Sequence, residues 1–214
     1  MSDETAVRQV TDAWARIEGW LRENAPVTHA ALGPGASEGE IAAVEEGLGF
    51  AVPVELRTLW TLVSGGTVQG RGPWPEGDVL MRLDDVVSQY RLKRELQQEL
   101  DDKAGTAAVL DDGSPRVWGK TWIPVFSSRE YDSAYGTFLN AETGLLWRWD
   151  TFEYEPPRHD DVQHSIVTLL EEIADSLETP GLATEFRPGL LDGRLVWLGQ
   201  RMNEDEQRRF QPLG

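Results

Sequence analysis

Residues 34–66, PGASEGEIAAVEEGLGFAVPVELRTLWTLVSGG, decide the fold, because they spell two short helices complete with start and stop signals. Ser37 followed three positions later by Glu40 is a capping box, each side chain satisfying a free backbone N–H of the other's turn. Ile41, Val44 and Leu48 fall on one helical face, and Gly49 stands where a left-handed residue would end the helix. Pro53 suits the first turn of a second helix, where its missing N–H would have had no partner. Leu56, Leu59, Trp60 and Val63 give that helix an apolar stripe, and Gly65–Gly66 stops it.

Upstream, Val7, Val10, Trp14, Ile17 and Leu21 are spaced three and four apart, predicting an amphipathic helix over 6–24 that Pro26 prevents from continuing. Downstream, 67–77 is a Gly- and Pro-rich loop holding Trp74, which either folds back onto the core or stands out as a contact anchor. Val79–Leu83 reads as a short strand. A helix capped by Asp84 or Asp85 follows to about Leu100, with Val86, Tyr90, Leu96 and Leu100 as inward positions and its charged residues as a solvated face. Beyond the polar stretch 101–115 the periodicity changes. Trp118–Phe126 has the β-formers of a strand, with Pro124 confining it to an edge or a bulge. Thr137–Leu139 and Leu145–Trp149 form a hairpin around 140–144, alternation placing Leu145, Trp147 and Trp149 on one face. After a polar loop over 151–160, Val162, Ile166, Leu169, Leu170 and Ile173 predict a helix over 161–177, broken by Thr179-Pro180-Gly181. Asp192-Gly193 marks a type I′ turn between Leu190–Leu191 and Leu195–Leu198, and 203–209 can form a short helix.

At 214 residues, 40% of them hydrophobic and nine of them tryptophan, the chain can bury a core without a disulfide or metal staple. It has no cysteine, which excludes thiol catalysis and the usual zinc sites and suits a reducing compartment. MSDETAVRQV lacks the basic and apolar regions of a secretory signal, and no apolar run approaches a membrane span, so the expected location is the cytoplasm. The formal charge of −17 would repel phosphates and anionic lipids, making nucleic acid and membrane poor partners. Such a surface either serves solubility or steers a basic protein partner onto itself.

No residue pattern reads as an active site. His29, His159 and His164 form no metal-ligand spacing, so no metal or cofactor is expected. The stretch 113–121, with Gly113, Gly119, Lys120 and Thr121, has five residues between its glycines where a phosphate-binding loop has four, and it precedes a strand-like run instead of a helix. The Asp pairs at 84–85, 101–102, 111–112 and 160–161 all lie at predicted helix ends or in loops, where capping and turn chemistry account for them. No G-x-S-x-G is present.

Taken in order, the motifs resemble the SUKH superfamily, in the branch related to fungal cell-wall assembly regulators and bacterial toxin-immunity proteins. The resemblance is carried by Pro34-Gly35-Ala36-Ser37, Glu40-Ile41, Val44-Glu45, Leu48-Gly49, Val52-Pro53, Leu56, Leu59 and Ser64-Gly65-Gly66. It continues through Trp118, Trp122-Ile123-Pro124-Val125, the run from Gly144 to Asp150, and Ser165-Ile166 with Leu169-Leu170. Ser64 stands where the family has Asn, and the chain after Pro180 lies outside the pattern. The resemblance implies an α+β fold, helices packed on a largely antiparallel sheet, with a SUKH-like domain over 6–178 and a C-terminal hairpin and tail over 179–214. It implies a non-catalytic protein-binding domain, an immunity protein that neutralises a toxin by binding it or, alternatively, a regulatory scaffold binding a host protein or peptide; the charge of −17 adds the expectation of an acidic surface against a basic toxin domain. An enzyme using carboxylates is the remaining alternative. Contact residues vary in the family, so the expected ones come from polarity and interleaved aromatics on the loops: Trp74, Asp111, Asp112, Asp132, Glu153, Tyr154 and Glu155.

Overall fold

The computed structural model describes residues 2–65, 72–104, 118–128, 134–150, 164–183, 187–198 and 202–214. The expected class is found: an α+β fold in which helices pack on an antiparallel four-stranded sheet, with a second, small sheet at the C-terminus.

The quoted stretch folds as its residues dictate. Helix α3 (Glu38–Leu48) begins with the full capping box between Ser37 and Glu40 and ends at Gly49 in the left-handed conformation, φ 82°. Helix α4 (Val54–Leu62) follows Pro53, which occupies the cap position immediately before the first turn. Ile41, Val44, Leu48, Leu56, Leu59, Trp60 and Val63 are all buried. Glu45 ties the pair together, accepting bonds from the Val52 N–H and from Arg57 Nη1, each at 3.0 Å.

Around that pair, α1 (Asp3–Asn24) starts one turn earlier than its apolar spacing predicts, because Ser2 caps it. Val10, Trp14, Ile17 and Leu21 are buried, whereas Val7 is exposed and Ala6 and Ala13 take the inward positions. A short α2 (Pro26–Ala30) turns the chain after Pro26. Helix α5 (Leu83–Ala104) and helix α6 (Ile166–Glu178, capped by Ser165) complete the main layer. Glu55 of α4 meets the start of α6, where burial pushes its carboxyl pKa up against the lowering effect of hydrogen bonds from the Val167 and Ile166 backbone. On the outer surface Arg16 of α1 bridges Asp175, at 2.6 Å, and Glu178 of α6.

The four-stranded sheet has the order β1 (Val79–Leu80), β2 (Trp122–Ser127), β3 (Tyr135–Asn140) and β4 (Leu145–Asp150), all antiparallel. Strand β1 is shorter than expected because Leu83 already belongs to α5. Strand β2 is interior, and Pro124 is accommodated there beside a bulge between Pro124 and Phe126. Trp118, expected to open this strand, instead sits in the core ahead of it. Its ring lies 5.1 Å from Phe138 and 5.6 Å from Trp149, and its indole N–H donates to the Trp122 carbonyl. On β4 Trp149 and Leu146, which alternation puts on opposite faces, are both buried, while Arg148 next to Leu146 on the second face is exposed.

The C-terminal hairpin is found as expected: β5 (Pro188–Leu191) and β6 (Arg194–Trp197) are joined by Asp192 and Gly193 at φ 51° and 74°, the positive values a type I′ turn needs. A strand β7 (Gln211–Pro212), following the short helix α7 (Glu204–Arg209), pairs with β5 on its other side. These strands stay out of the main sheet. They dock on α2 instead, where the Thr28 hydroxyl accepts the Leu195 N–H at 2.9 Å and the Gly193 carbonyl accepts the Val27 N–H at 3.0 Å. Leu195 and Trp197 join the main core.

One expectation for α5 is corrected. Val86 and Tyr90 face inward, but Leu96 and Leu100 do not; they are 39% and 41% exposed, and Lys93 and Gln97 are buried in their place. The helix is rotated relative to its leucine pattern, because its inward face is anchored by polar contacts to residues beyond the segment that follows it.

Candidate functional site

The organising pair does more than set the architecture: together with the start of α5 it forms an open groove of about 650 Å³. One wall is the turn before α3. Ser64 holds that turn to the end of α4, its N–H and hydroxyl both donating to the Pro34 carbonyl at 3.1 and 2.8 Å. The two backbones approach so closely that a Cβ on Gly33 would collide with the carbonyl oxygens of Ser64 and Gly65. Gly65 itself has φ 66°, a conformation that a side chain would strain.

Ala43, Val44, Leu83 and Val87 give the groove an apolar floor, and Glu40, Arg82, Asp84, Ser88 and Arg91 give it a polar rim. Most of that rim is already committed. Glu40 accepts from the Ser37 hydroxyl and backbone N–H, which hold its carboxyl below the usual range. The Ser88 hydroxyl donates back to the Asp84 carbonyl. Arg82 and Asp84 approach to 3.9 Å while both remain mostly exposed, a pairing that contributes little. The groove therefore offers an apolar trough with the guanidinium groups of Arg82 and Arg91 beside it, suited to a peptide segment with apolar side chains and a carboxylate.

Chemistry finds little support in this geometry. Two carboxylates line the groove, Glu40 and Asp84, and the Ser37 hydrogen bonds hold Glu40 in its ionised form, the opposite of a general acid raised toward neutrality. Among the described residues no group of three or more His, Cys, Asp or Glu converges as metal ligands, and no helix is long and apolar enough to cross a membrane. His29 lies 3.6 Å from Glu18, His164 lies 3.2 Å from Glu172, and His159 is outside the described residues.

Of the expected contact residues, Trp74 is corrected. It is 3% exposed, stacked on Trp14 at 5.9 Å and tilted on Phe126 at 4.9 Å, so it fastens its loop to the core and presents no surface to a partner. Asp111, Asp112, Asp132, Glu153, Tyr154 and Glu155 lie outside the described residues. The expected list did not include Arg82 and Arg91. The glycines at 33, 35 and 65 were the available signal, since clustered glycines around two helix ends mark close backbone approach.

A model of the SMI1 / KNR4 family (SUKH-1) matches residues 35–179. No curated protein matches the chain. The matched span is more than half of the 214 residues, and the chain belongs to the SMI1 / KNR4 family (SUKH-1). Membership supports a protein-binding domain in general, in a family whose members are generally non-catalytic immunity or regulatory proteins.

Proposed function

Starting from that membership, we propose that the chain is a cytoplasmic immunity-type protein that neutralises a toxin domain by binding it and performs no reaction of its own. The observation that carries this reading is the charge of −17 on a chain of 214 residues. Toxins that act on nucleic acids need basic clefts to hold phosphates, and an acidic protein is their electrostatic complement. Asp111, Asp112, Asp132, Glu153, Tyr154 and Glu155 are the proposed contacts.

The test is co-expression with the product of the adjacent gene, followed by affinity capture at low and at high salt. The reading expects a stable complex that weakens as salt rises, because screening removes the attraction between exposed charges. A complex indifferent to salt removes the electrostatic part, and no complex removes the immunity reading.

The groove favours a second reading, a regulatory scaffold that captures a peptide segment of a host protein. Its discriminating variant is R82E/R91E, which would abolish scaffold binding and leave a toxin complex held by the acidic loops intact. A gene neighbourhood without toxin or secretion genes points the same way.

A further inference from the structure

Helix α5 turns Leu92, Leu96 and Leu100 to solvent, at 44%, 39% and 41% exposed, while Lys93 and Gln97 on the adjoining face are 3% and 7% exposed. This rotation is fixed by several contacts. The Gln97 side-chain oxygen accepts the buried Trp118 backbone N–H at 3.0 Å, and the Tyr90 hydroxyl donates to the Lys120 carbonyl at 2.7 Å. Arg94 donates to the Trp118 carbonyl at 3.1 Å, and the Lys93 ammonium sits 5.2 and 5.0 Å from the ring centres of Trp118 and Trp149. Turning the helix to bury its leucines would deprive the Trp118 N–H of its acceptor and bring the Lys93 charge away from its aromatic seat. The leucines are thus held outward as a ridge.

Residues four apart drift by about 40° around a helix, so the three leucines make one continuous ridge running obliquely along α5. Glu95, Glu99 and Asp102, all exposed, form an acidic ledge along its outer side. We propose that this ridge is a docking site for a basic amphipathic helix of a partner protein, whose apolar face covers the leucines while its Lys or Arg residues meet the ledge. Charge selects this occupant over a second copy of the chain. A two-fold antiparallel pairing centred on Leu96 would set Glu95 and Glu99 against the same residues of the other copy, and would bring together two chains each of formal charge −17. The inference shares with the proposed function only the sign of the partner's charge; it does not use the loop contacts.

The experiment titrates the full chain with a synthetic amphipathic helix of Leu and Lys, and with a scrambled peptide of the same composition that has the charge but no apolar face. The ridge binds the helical peptide about tenfold tighter than the scramble, a difference of 1.4 kcal/mol. The variant L92Q/L96Q/L100Q loses that preference and keeps the thermal midpoint of the parent. As a second variant, E95Q/E99Q/D102N binds several-fold more weakly, with a shallower salt dependence. Equal affinity for the two peptides overturns the proposal, as does unchanged binding by the leucine variant. So does a dimer of the parent that the leucine variant converts to monomer, or peptide binding that emerges only once residues 105–117 are shortened. If the peptide preference is absent while the adjacent gene product still binds, this inference falls and the proposed function stands; the converse removes only the toxin reading.

Discussion

The α3–α4 pair and α5 are helices of one chain packed in one core, yet they obey their sequences to different degrees. In α3 and α4 every apolar residue of the predicted stripes is buried, and caps written within a few residues set both ends. In α5 two of the four predicted inward residues face solvent, and a lysine and a glutamine occupy the core side. The first pair is locally determined: periodicity, capping box and terminating glycine all point to one rotation about the helix axis. The rotation of α5 is determined at a distance, by the backbone of Trp118 and Lys120 and by the rings of Trp118 and Trp149. A stripe of leucines is thus an unreliable guide to the core when polar side chains on the next face have backbone groups to satisfy.

The sharpest way to break this comparison is to substitute inward residues of the two regions and rank the losses. Trp60→Ala removes a fully buried indole from α4 and should cost about 3–5 kcal/mol in denaturant unfolding. Gln97→Ala, at an inward position of α5 that a hydrophobicity count would ignore, leaves the Trp118 N–H without its acceptor and should cost about 1–3 kcal/mol. Ser37→Ala removes the α3 cap and should cost about 0.5–2 kcal/mol. Its effect carries a pH signature. Hydrogen bonds from Ser37 hold the Glu40 carboxyl below its usual pKa, so their contribution is present above the ordinary Glu range and is lost as pH falls through the lowered value. The gap between the parent and Ser37→Ala stability curves should therefore narrow in acid, leaving the share of the Glu40 N–H bond to the Ser37 hydroxyl, which does not titrate. Smallest is Leu96→Gln, which should change stability by no more than about 0.5 kcal/mol because the side chain is already in water. A loss at Leu96 exceeding that at Gln97 would reverse the comparison.

What could be read from the chain follows the same division. The Ser37–Glu40 box, the Gly49 stop and the Asp192-Gly193 turn were legible because each is complete within a few residues and rests on backbone geometry that few residue types permit. The bulge at Pro124 was legible because a proline within a strand leaves few alternatives. The docking of the small sheet on α2 was not, since it depends on Thr28 meeting Leu195, two residues whose types carry no sign of the contact. The groove was hidden for a related reason: its walls come from the turn at Gly33–Pro34, the end of α4 and the start of α5, and its arginines resemble any solvated charge until those segments are brought together. The leucine ridge did carry a signal. Its unbroken spacing of four departs from the alternating threes and fours of Val10, Trp14, Ile17 and Leu21, which keep a stripe aligned with a core.

The rotation of α5 can be measured directly, because the chain has no cysteine of its own. Single variants Leu92→Cys, Leu96→Cys and Leu100→Cys, compared with Tyr90→Cys and Gln97→Cys, report each position by its rate of maleimide labelling under native conditions. The account predicts fast labelling at 92, 96 and 100 and slow labelling at 90 and 97. Protection at 96 and 100 with rapid labelling at 97 would contradict it and would place the leucines in the core.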